Sequence, residues 1–140
     1  MTAAAATPPS RGRMVDIGGR GLRMVCAGPD RGASTRPTVL LEAGAFGFSA
    51  DWAVVQEQLA DLGVRSCAYD RAGLGWSDPG PSPRDGLAVV SDLEALLKAA
   101  GEPGPFIIVG HSMAGLRLRL FAARNPQLVS GVVLVDAATP

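Results

Sequence analysis

Ser112 stands among glycines at a point where the chain is expected to change from a strand to a helix. Residues 106–109 are a short apolar run bounded by proline and glycine, which predicts a strand buried on both faces. The helical spacing that follows ends at Asn125-Pro126. A serine on such a turn points its hydroxyl away from the sheet, and the backbone N–H of Met113 lies at the helix N-terminus, where unpaired donors favour an oxyanion. The pattern therefore makes Ser112 a candidate nucleophile beside backbone donors that could stabilise an oxyanion.

Glycines flank the serine because neighbouring backbone segments approach too closely for side chains. The spacing departs from G-x-S-x-G in one place, since Ala114 occupies the last glycine position and Gly115 follows one step later. The residues of this helix at apolar helical spacing are Met113, Leu116, Leu120 and Ala123. The structural alternative is that Ser112 only caps the helix at a tight connection.

The composition is that of a globular protein without a strongly charged partner. The chain has 140 residues, enough for one domain, of which 47% are hydrophobic and 19% are charged. Its formal net charge is zero, and no basic stripe alternates with aromatic residues, which argues against a nucleic-acid partner. No apolar run approaches the length of a membrane span, and residues 1–10 lack the charged start of a secretory signal. We therefore expect a cytoplasmic protein without a membrane partner.

Two cysteines and one histidine are the residues that could bind a soft metal ion. Cys26 and Cys67 lie in separate apolar runs, so we expect them to be buried free thiols. His111 and two distant cysteines cannot complete a four-ligand site. The sequence therefore predicts no metal and no cofactor.

Strands alternate with helices along most of the chain, which predicts an α/β fold. Residues 1–13 are expected to form a disordered tail and residues 14–140 the domain. An antiparallel hairpin at 14–17 and 22–26 opens the domain, and a mostly parallel sheet with helices on both faces follows. The expected parallel strands lie at 38–43, 64–69, 106–109 and 131–135, and the helices at 51–62, 83–100 and 113–124.

Caps and apolar spacing predict how the first two helices begin and which side they bury. We expect Asp51 to cap the first helix and Ser82 the second. The side chains expected to face the core are Trp52, Val55, Leu59 and Leu62 in the first helix and Leu87, Val90, Leu93 and Leu97 in the second. Ligands of such sheets bind at the carboxyl ends of the strands. The residues at or just beyond those ends, which one edge of the sheet could bring together, are Gly44, Asp70, Ser112 and Asp136.

Three separate segments together resemble the α/β-hydrolase family with a serine nucleophile. Residues 41–47, Leu-Glu-Ala-Gly-Ala-Phe-Gly, are similar to the oxyanion loop after the third strand of that family. Residues 69–78, Tyr-Asp-Arg-Ala-Gly-Leu-Gly-Trp-Ser-Asp, are similar to its D-R-x-G-x-G-x-S loop after the fourth strand. Residues 110–115 resemble its nucleophile elbow and follow at the expected distance. The resemblance covers residues 14–140 and implies a partial α/β-hydrolase fold that ends after the sixth strand.

The resemblance implies a role for each matching residue. Ser112 would attack the acyl carbon, and the backbone N–H groups of Ala45 and Met113 would form the oxyanion hole. Ala43 replaces the histidine that the family has before the oxyanion-loop glycine, and this leaves the backbone donors in place.

Other residues near these motifs have less specific interpretations. Asp70 and Arg71 resemble residues that stabilise the loops of the family. Glu42 lies on a strand that is expected to be buried, so it requires a partner. Arg117 and Arg119, on the helix after Ser112, are expected to be structural or solvated rather than substrate-binding. Three aromatic residues are candidates either for an acyl pocket or for plain packing: Phe46, Phe48 and Trp76.

The base that would activate Ser112 does not follow it in the sequence. The family order is serine, acid, histidine, and the only histidine, His111, precedes the serine directly. Asp136 is a candidate for the acid, or else a residue that caps the turn after the last strand. We therefore expect the N-terminal half of an esterase-like hydrolase of a small-molecule acyl substrate, inactive alone, with the base in a missing C-terminal half. The alternatives are a non-catalytic remnant or binding module, and a protein that self-associates through its last strand.

Overall fold

The computed structural model describes residues 11–138, which form one mixed β-sheet with helices packed on it. The strands are β1 (Arg13–Asp16), β2 (Gly21–Ala27), β3 (Thr38–Glu42), β4 (Ser66–Tyr69), β5 (Phe106–His111) and β6 (Val129–Val135). The helices are α1 (Ala53–Asp61), α2 (Gly86–Ala100) and α3 (Ala114–Arg124), and short 3₁₀ turns at Ser49–Trp52 and Pro126–Leu128 precede α1 and β6. Residues 1–10 of the predicted tail, and residues 139–140, lie outside the described part of the chain.

The strands of residues 11–138 follow the order β1-β2-β4-β3-β5-β6 across the sheet. β1 and β2 form the predicted antiparallel hairpin, and β2 also pairs antiparallel with β4. The β4, β3, β5 and β6 strands are parallel, as strands joined by helical crossovers must be. The predicted fold class, a mostly parallel α/β sheet opened by a hairpin, is therefore confirmed.

The turn of the opening hairpin is built around one carboxylate. Oδ1 of Asp16 accepts the backbone N–H of Gly18 at 2.8 Å and of Gly19 at 2.7 Å. These hydrogen bonds lower the pKa of Asp16. Both glycines have positive φ angles, which residues with a Cβ atom adopt only rarely. The glycine-rich turn in the sequence thus predicts the hairpin correctly.

Apolar side chains pack on both faces of the sheet. α2 and α3 cover one face, where Leu93 and Phe121 pack with Leu40 of β3. α1 covers the other face, where Trp52 packs with Leu41 of the same strand. Successive residues of a strand point to opposite faces, so β3 contributes to both cores. This arrangement explains why the central strands read as continuous apolar runs.

The starts of two helices differ from the sequence prediction. α2 begins at Gly86 because Asp85, rather than Ser82, caps it by accepting the N–H of Ala88 at 2.9 Å. Asp51 lies in the 3₁₀ turn before α1, where its Oδ2 accepts the N–H of Phe48 at 3.3 Å. Several carboxylates and hydroxyls near a helix start can act as caps, and local sequence does not select one of them.

Most of the side chains predicted to face the core in the first two helices do so, since Trp52, Val90, Leu93 and Leu97 are buried and Val55 and Leu59 pack against the core. Leu62 and Leu87 were expected to face the core and are exposed. In α3 the buried residues are Ala114, Gly115, Leu118 and Phe121, whereas Met113 and Leu116 are exposed. Small residues in the first turn let α3 approach the sheet closely. Large apolar residues occur on both sides of this helix, so their spacing alone does not identify the buried face. None of the helices within residues 11–138 is long and apolar enough to cross a membrane.

Cys26 and Cys67 form a disulfide bond, so the prediction of two distant free thiols was wrong. The two residues face each other across the antiparallel strands β2 and β4, where opposite Cβ atoms lie close together. They are 41 residues apart in sequence, and the register of strands so far apart is not encoded in a local pattern. Glu102 lies beside the bridge, with its Oε1 4.0 Å from Cys26 Sγ and 2.6 Å from Arg65 Nη2.

β6 forms an edge of the sheet within the described residues, and its side chains are exposed on both faces. Val132, Val133, Leu134 and Val135 are 40–47% exposed, unlike the buried residues of β3. An apolar edge with unpaired backbone groups favours pairing with another strand.

Reduction of the Cys26–Cys67 disulfide is expected to lower the free energy of unfolding by about 3–4 kcal/mol, because the bridge restricts a long loop in the unfolded chain. Denaturant unfolding with and without dithiothreitol measures the difference. The matched control is the double variant Cys26→Ala, Cys67→Ala, whose stability should not respond to the reductant. Titration of two free thiols in the untreated folded protein would contradict the bridge.

Candidate active site

Ser112 occupies the turn between β5 and α3 in the left-handed backbone region, with a φ of 55°. Serine adopts this conformation only rarely, and residues held in it concentrate at functional sites. The turn also requires close packing, since a Cβ atom on Gly110 would lie 2.6 Å from Leu118 Cδ1 and 3.1 Å from Ala114 Cβ. β5 therefore contacts α3 through a glycine, and Ser112 is left half-buried at the carboxyl end of the strand.

The loop after β3 lies against this turn. A Cβ atom on Gly44 would lie 3.3 Å from Ser112 Cβ and 3.1 Å from His111 Nδ1, so a side chain there would push on both residues. Gly44 opens a four-residue turn in which the N–H of Gly47 donates to its carbonyl at 3.1 Å. Ala45, the second residue of that turn, is exposed. Two segments that are far apart in sequence are thus neighbours in space.

Arg71 sets the direction of the peptide groups in this loop. Its guanidinium donates to the carbonyl oxygens of Ala43 at 2.7 Å and Ala45 at 3.0 Å, and also to that of Gly44. In a trans peptide the carbonyl and the following N–H point in opposite directions. The contact with the Gly44 carbonyl therefore turns the N–H of Ala45 away from Arg71.

One buried carboxylate joins two arginines beside the loop. Oε1 of Glu42 lies 2.7 Å from Arg117 Nε and 3.8 Å from Arg71 Nη1. Arg117 also donates to the carbonyl of Ala43 at 3.1 Å. The Glu42 side chain is 1% exposed, so these are the partners that its burial requires. Burial and the nearby Arg117 charge lower the pKa of Arg71.

Asp70 organises the loop after β4. It is fully buried, and its Oδ1 accepts the N–H of Ser49 at 2.7 Å while its Oδ2 accepts that of Trp76 at 3.0 Å. A Cβ atom on Gly75 would lie 2.3 Å from Oδ2, so this position has no room for a side chain. Both carboxylate oxygens of Asp70 are therefore engaged with backbone groups of the surrounding loops.

Asp136 follows β6 and lies next to the Ser112 turn through the backbone. The N–H of Ser112 donates to the carbonyl of Val135 at 3.3 Å, and the N–H of Ala138 donates to the carbonyl of Ser112 at 2.9 Å. Asp136, between these two contacts, is exposed and has a positive φ of 43°. The structure thus brings Gly44, Ser112 and Asp136 together at the carboxyl ends of the strands, while the Asp70 side chain points into the loops.

The three candidate pocket aromatics do not form one pocket around Ser112. Phe46 is 91% exposed. Phe48 and Trp76 line a cavity of about 190 Å³ together with residues of β2 and α1, and Ser112 is not among its lining residues. A second cavity, of about 300 Å³, borders the Ser112 turn and is lined by Ala43, Gly44, Asp51, Trp52, His111 and Val135.

Sequence reasoning missed two features of this region. It did not foresee that Asp51, Trp52 and His111 line one cavity, and it expected Arg117 to be structural or solvated without identifying Glu42 as its partner. The available signal was Glu42, an acidic residue on a strand that reads as buried. Such a residue predicts a buried cation but does not say which arginine supplies it.

The chain belongs to the α/β hydrolase fold family, whose sequence profile matches residues 37–140. It is 36% identical over 137 residues to the probable transporter efuK of Hormonema carpetanum, covering 95% of this chain and 19% of that protein. It is 32% identical over 101 residues to the putative carbamate hydrolase RutD of Agrobacterium fabrum, covering 72% of this chain and 38% of that protein. The crystal structure of E-2-(acetamidomethylene)succinate hydrolase is 29% identical, with a TM-score of 0.78 over 92% of this chain and 45% of that chain.

The resemblance inferred from the three motifs is therefore confirmed at the level of the family. The chain spans less than half the length of these relatives.

Tyr69, the only tyrosine, gives a spectroscopic test of the buried charges around Glu42. Burial raises its pKa well above 10, and the Glu42 carboxylate adds to this effect. In the unfolded chain the phenol ionises near pH 10, so above that pH the unfolded state loses a proton that the folded state keeps, and the free energy of unfolding falls. Tyrosinate absorbance should appear near pH 10 in denaturant and only at higher pH in the folded protein.

The variant Tyr69→Phe is the control for this titration. Its free energy of unfolding should lack the alkaline decrease that comes from Tyr69. Ordinary titration of the phenol in the folded protein would contradict its burial beside Glu42.

Proposed function

We propose that this chain carries the nucleophile and the oxyanion hole of a serine hydrolase that acts on an ester-like acyl bond. The observation that carries the proposal is the left-handed φ of 55° at Ser112, between β5 and α3. A serine that only capped α3 would have an extended backbone and would accept an N–H of the first turn. Here the N-cap residue is Met113, without a side-chain hydrogen bond. The geometry therefore favours a nucleophile over the capping alternative.

The proposed oxyanion hole consists of two backbone N–H groups. That of Met113 lies at the N-terminus of α3, where the helix dipole favours a negative charge. That of Ala45 is turned away from Arg71 by the contact with the Gly44 carbonyl. Removal of one such donor in other hydrolases slows the reaction by roughly 100- to 1000-fold. In this proposal Asp70 and Arg71 act only by holding the loops.

The reaction follows from these groups. The Ser112 hydroxyl loses its proton to a base as Oγ bonds to the acyl carbon, and the carbonyl oxygen takes the negative charge between the two N–H groups. Collapse of this intermediate expels the leaving group, which takes the proton from the base, and leaves an acyl ester on Ser112. Water, deprotonated by the same base, then attacks this ester, and the base returns the proton to Ser112 Oγ as the acid is released.

We propose that the base comes from polypeptide outside these 140 residues. The one histidine of the sequence, His111, directly precedes the serine and lines the cavity beside Gly44 and Trp52. The acid that would orient the external base is Asp136 in this proposal, because it is exposed and flanked by two backbone contacts to Ser112. A site completed by a second segment fits a chain that spans less than half of the relatives it matches.

The substrate class is a small molecule with an acyl carbon bonded to oxygen, sulfur or nitrogen. A serine nucleophile forms an acyl ester that water can cleave, which favours esters, thioesters, amides and carbamates. Two similar proteins are described as hydrolases, one of them a putative carbamate hydrolase.

Labelling of Ser112 with a fluorophosphonate tests the proposal, with imidazole added as an external base. We expect slow labelling of the 140-residue chain without imidazole, faster labelling with it, and modification that maps to Ser112 by mass spectrometry. The variant Ser112→Ala should not be labelled.

The matched control is Ser91→Ala, which removes an exposed hydroxyl on α2 and should leave the labelling rate unchanged. Equal labelling of Ser112→Ala, or no labelling of Ser112 at any imidazole concentration, would rule out the nucleophile.

We further propose that β6 pairs with an additional strand from the polypeptide that supplies the base. This proposal is supported by the edge position of β6 within residues 11–138 and by its apolar residues, exposed on both faces. A strand of this kind requires cover, since parallel sheets are normally buried. In the isolated chain a second copy should take the place of that strand.

Light scattering of the isolated chain over a range of concentrations tests the exposed edge. We expect self-association that is lost in Val133→Lys, because a charge on an edge strand opposes pairing. The control is Val54→Lys, at a residue of α1 that is also exposed. A monomer at every concentration would contradict pairing through β6.

A further inference from the structure

We propose that Glu42 and Arg117 are positioning residues. They keep the two N–H donors of the oxyanion hole at a fixed separation and orientation. This inference rests on the function proposed above for Ala45 and Met113. It assigns to Arg117 a role that differs from substrate binding and from simple solvation. Neither residue is expected to contact the substrate.

The two proposed donors belong to separate parts of the fold. The N–H of Met113 stands at the start of α3, and the N–H of Ala45 lies in the loop after β3. An oxyanion can accept from both only if α3 and the loop keep a fixed separation, since a displacement of about 1 Å can cost a hundredfold in rate. The helix and the loop therefore need a connection that resists sliding.

Arg117 makes this connection. It lies one helical turn after Met113 on α3, and its Nε donates to Glu42 Oε1 at 2.7 Å. Its Nη2 donates at 3.1 Å to the carbonyl of Ala43, at the start of the loop. Two donors of one planar guanidinium, aimed at two acceptors, fix both distance and orientation.

Glu42 extends the connection to the donor peptide itself. Its carboxylate also lies 3.8 Å from Arg71, the residue that holds the carbonyls of residues 43–45. The contacts thus run from α3 through Arg117, Glu42 and Arg71 to the peptide that carries the Ala45 N–H. The side chains of these three charged residues are 13%, 1% and 7% exposed, so water competes little with the contacts.

The charges explain why Glu42 is required. Arg71 and Arg117 are close enough that the Arg117 charge lowers the pKa of Arg71. Without the carboxylate, two buried guanidinium groups would repel each other, and a buried charge without its partner is costly. Glu42 therefore holds together two cations that both contact the loop.

Fluorophosphonate labelling in the presence of imidazole tests the inference on the 140-residue chain. The maximal labelling rate constant (kinact) reports the oxyanion hole, and the concentration at half-maximal rate (KI) reports binding of the probe. For Arg117→Met we expect kinact to fall by roughly 10- to 100-fold with little change in KI. Arg117→Lys keeps the charge but not the planar pair of donors, so it should recover part of the loss.

Backbone hydrogen exchange provides a readout that does not depend on the chemistry of Ser112. In Arg117→Met and in Glu42→Gln, the amide of Gly47, which donates to the Gly44 carbonyl at 3.1 Å, should exchange faster than in the unaltered chain, because the turn that carries Ala45 is held less firmly. The matched control is Arg119→Met, on the same helix. Arg119 is exposed, and its side chain makes no hydrogen bond or ion pair within the described residues. It should behave like the unaltered chain in both experiments.

The outcomes separate this inference from the proposed function. If Ser112→Ala abolishes labelling while Arg117→Met keeps the kinact and the amide exchange of Arg119→Met, the positioning role is overturned and the nucleophile stands. If Ser112 is never labelled but Arg117→Met speeds the exchange of the Gly47 amide, the connection exists and the proposed function fails. A loss in Arg117→Met that appears in KI rather than in kinact would also overturn the inference, because it would indicate probe binding.

Discussion

The candidate site depends on three close contacts between segments, each of which has a glycine where a side chain would not fit. β5 contacts α3 through Gly110, the loop after β3 contacts the Ser112 turn through Gly44, and the segment after β6 contacts α3 through Gly115. A Cβ atom on Gly115 would lie 2.7 Å from the carbonyl oxygen of Ala138, so this third contact is as tight as the first. The close approach places Ser112 at the junction, in a backbone conformation that serine rarely adopts alone.

Close packing of the backbone leaves carbonyl groups that need hydrogen-bond donors. The carbonyl groups of residues 43–45 turn toward the interior, where each needs a hydrogen-bond donor. Arg71 supplies donors to all three, which brings a buried cation into the fold and in turn requires the buried carboxylate of Glu42. That carboxylate also binds Arg117 on α3. A single steric constraint therefore leads to a charged cluster that joins the two sides of the site.

The sequence predicts the order of strands and helices because that order depends on short local patterns. Apolar runs bounded by glycine and proline mark β3, β4 and β5, and glycines mark the hairpin and the Ser112 turn. Features that depend on residues far apart in the chain were not predicted. The Cys26–Cys67 bridge needs the register of β2 against β4, and the partner of Glu42 needs the packing of α3 against β3. The buried face of α3 was missed because large apolar residues lie on both sides of the helix and the buried side begins with small ones.

The exposed edge strand β6 and the Ser112 turn are connected through backbone hydrogen bonds. β6 pairs with β5 up to His111, and just beyond this pairing the backbone of Ser112 bonds to Val135 and Ala138. The turn is therefore supported by a strand whose apolar side chains lack cover on both faces. Local stability follows buried contacts, so an uncovered edge is where a sheet opens first. A partner strand on β6 would cover its apolar residues and stabilise the contacts that hold Ser112, which links completion of the sheet to the geometry of the Ser112 turn.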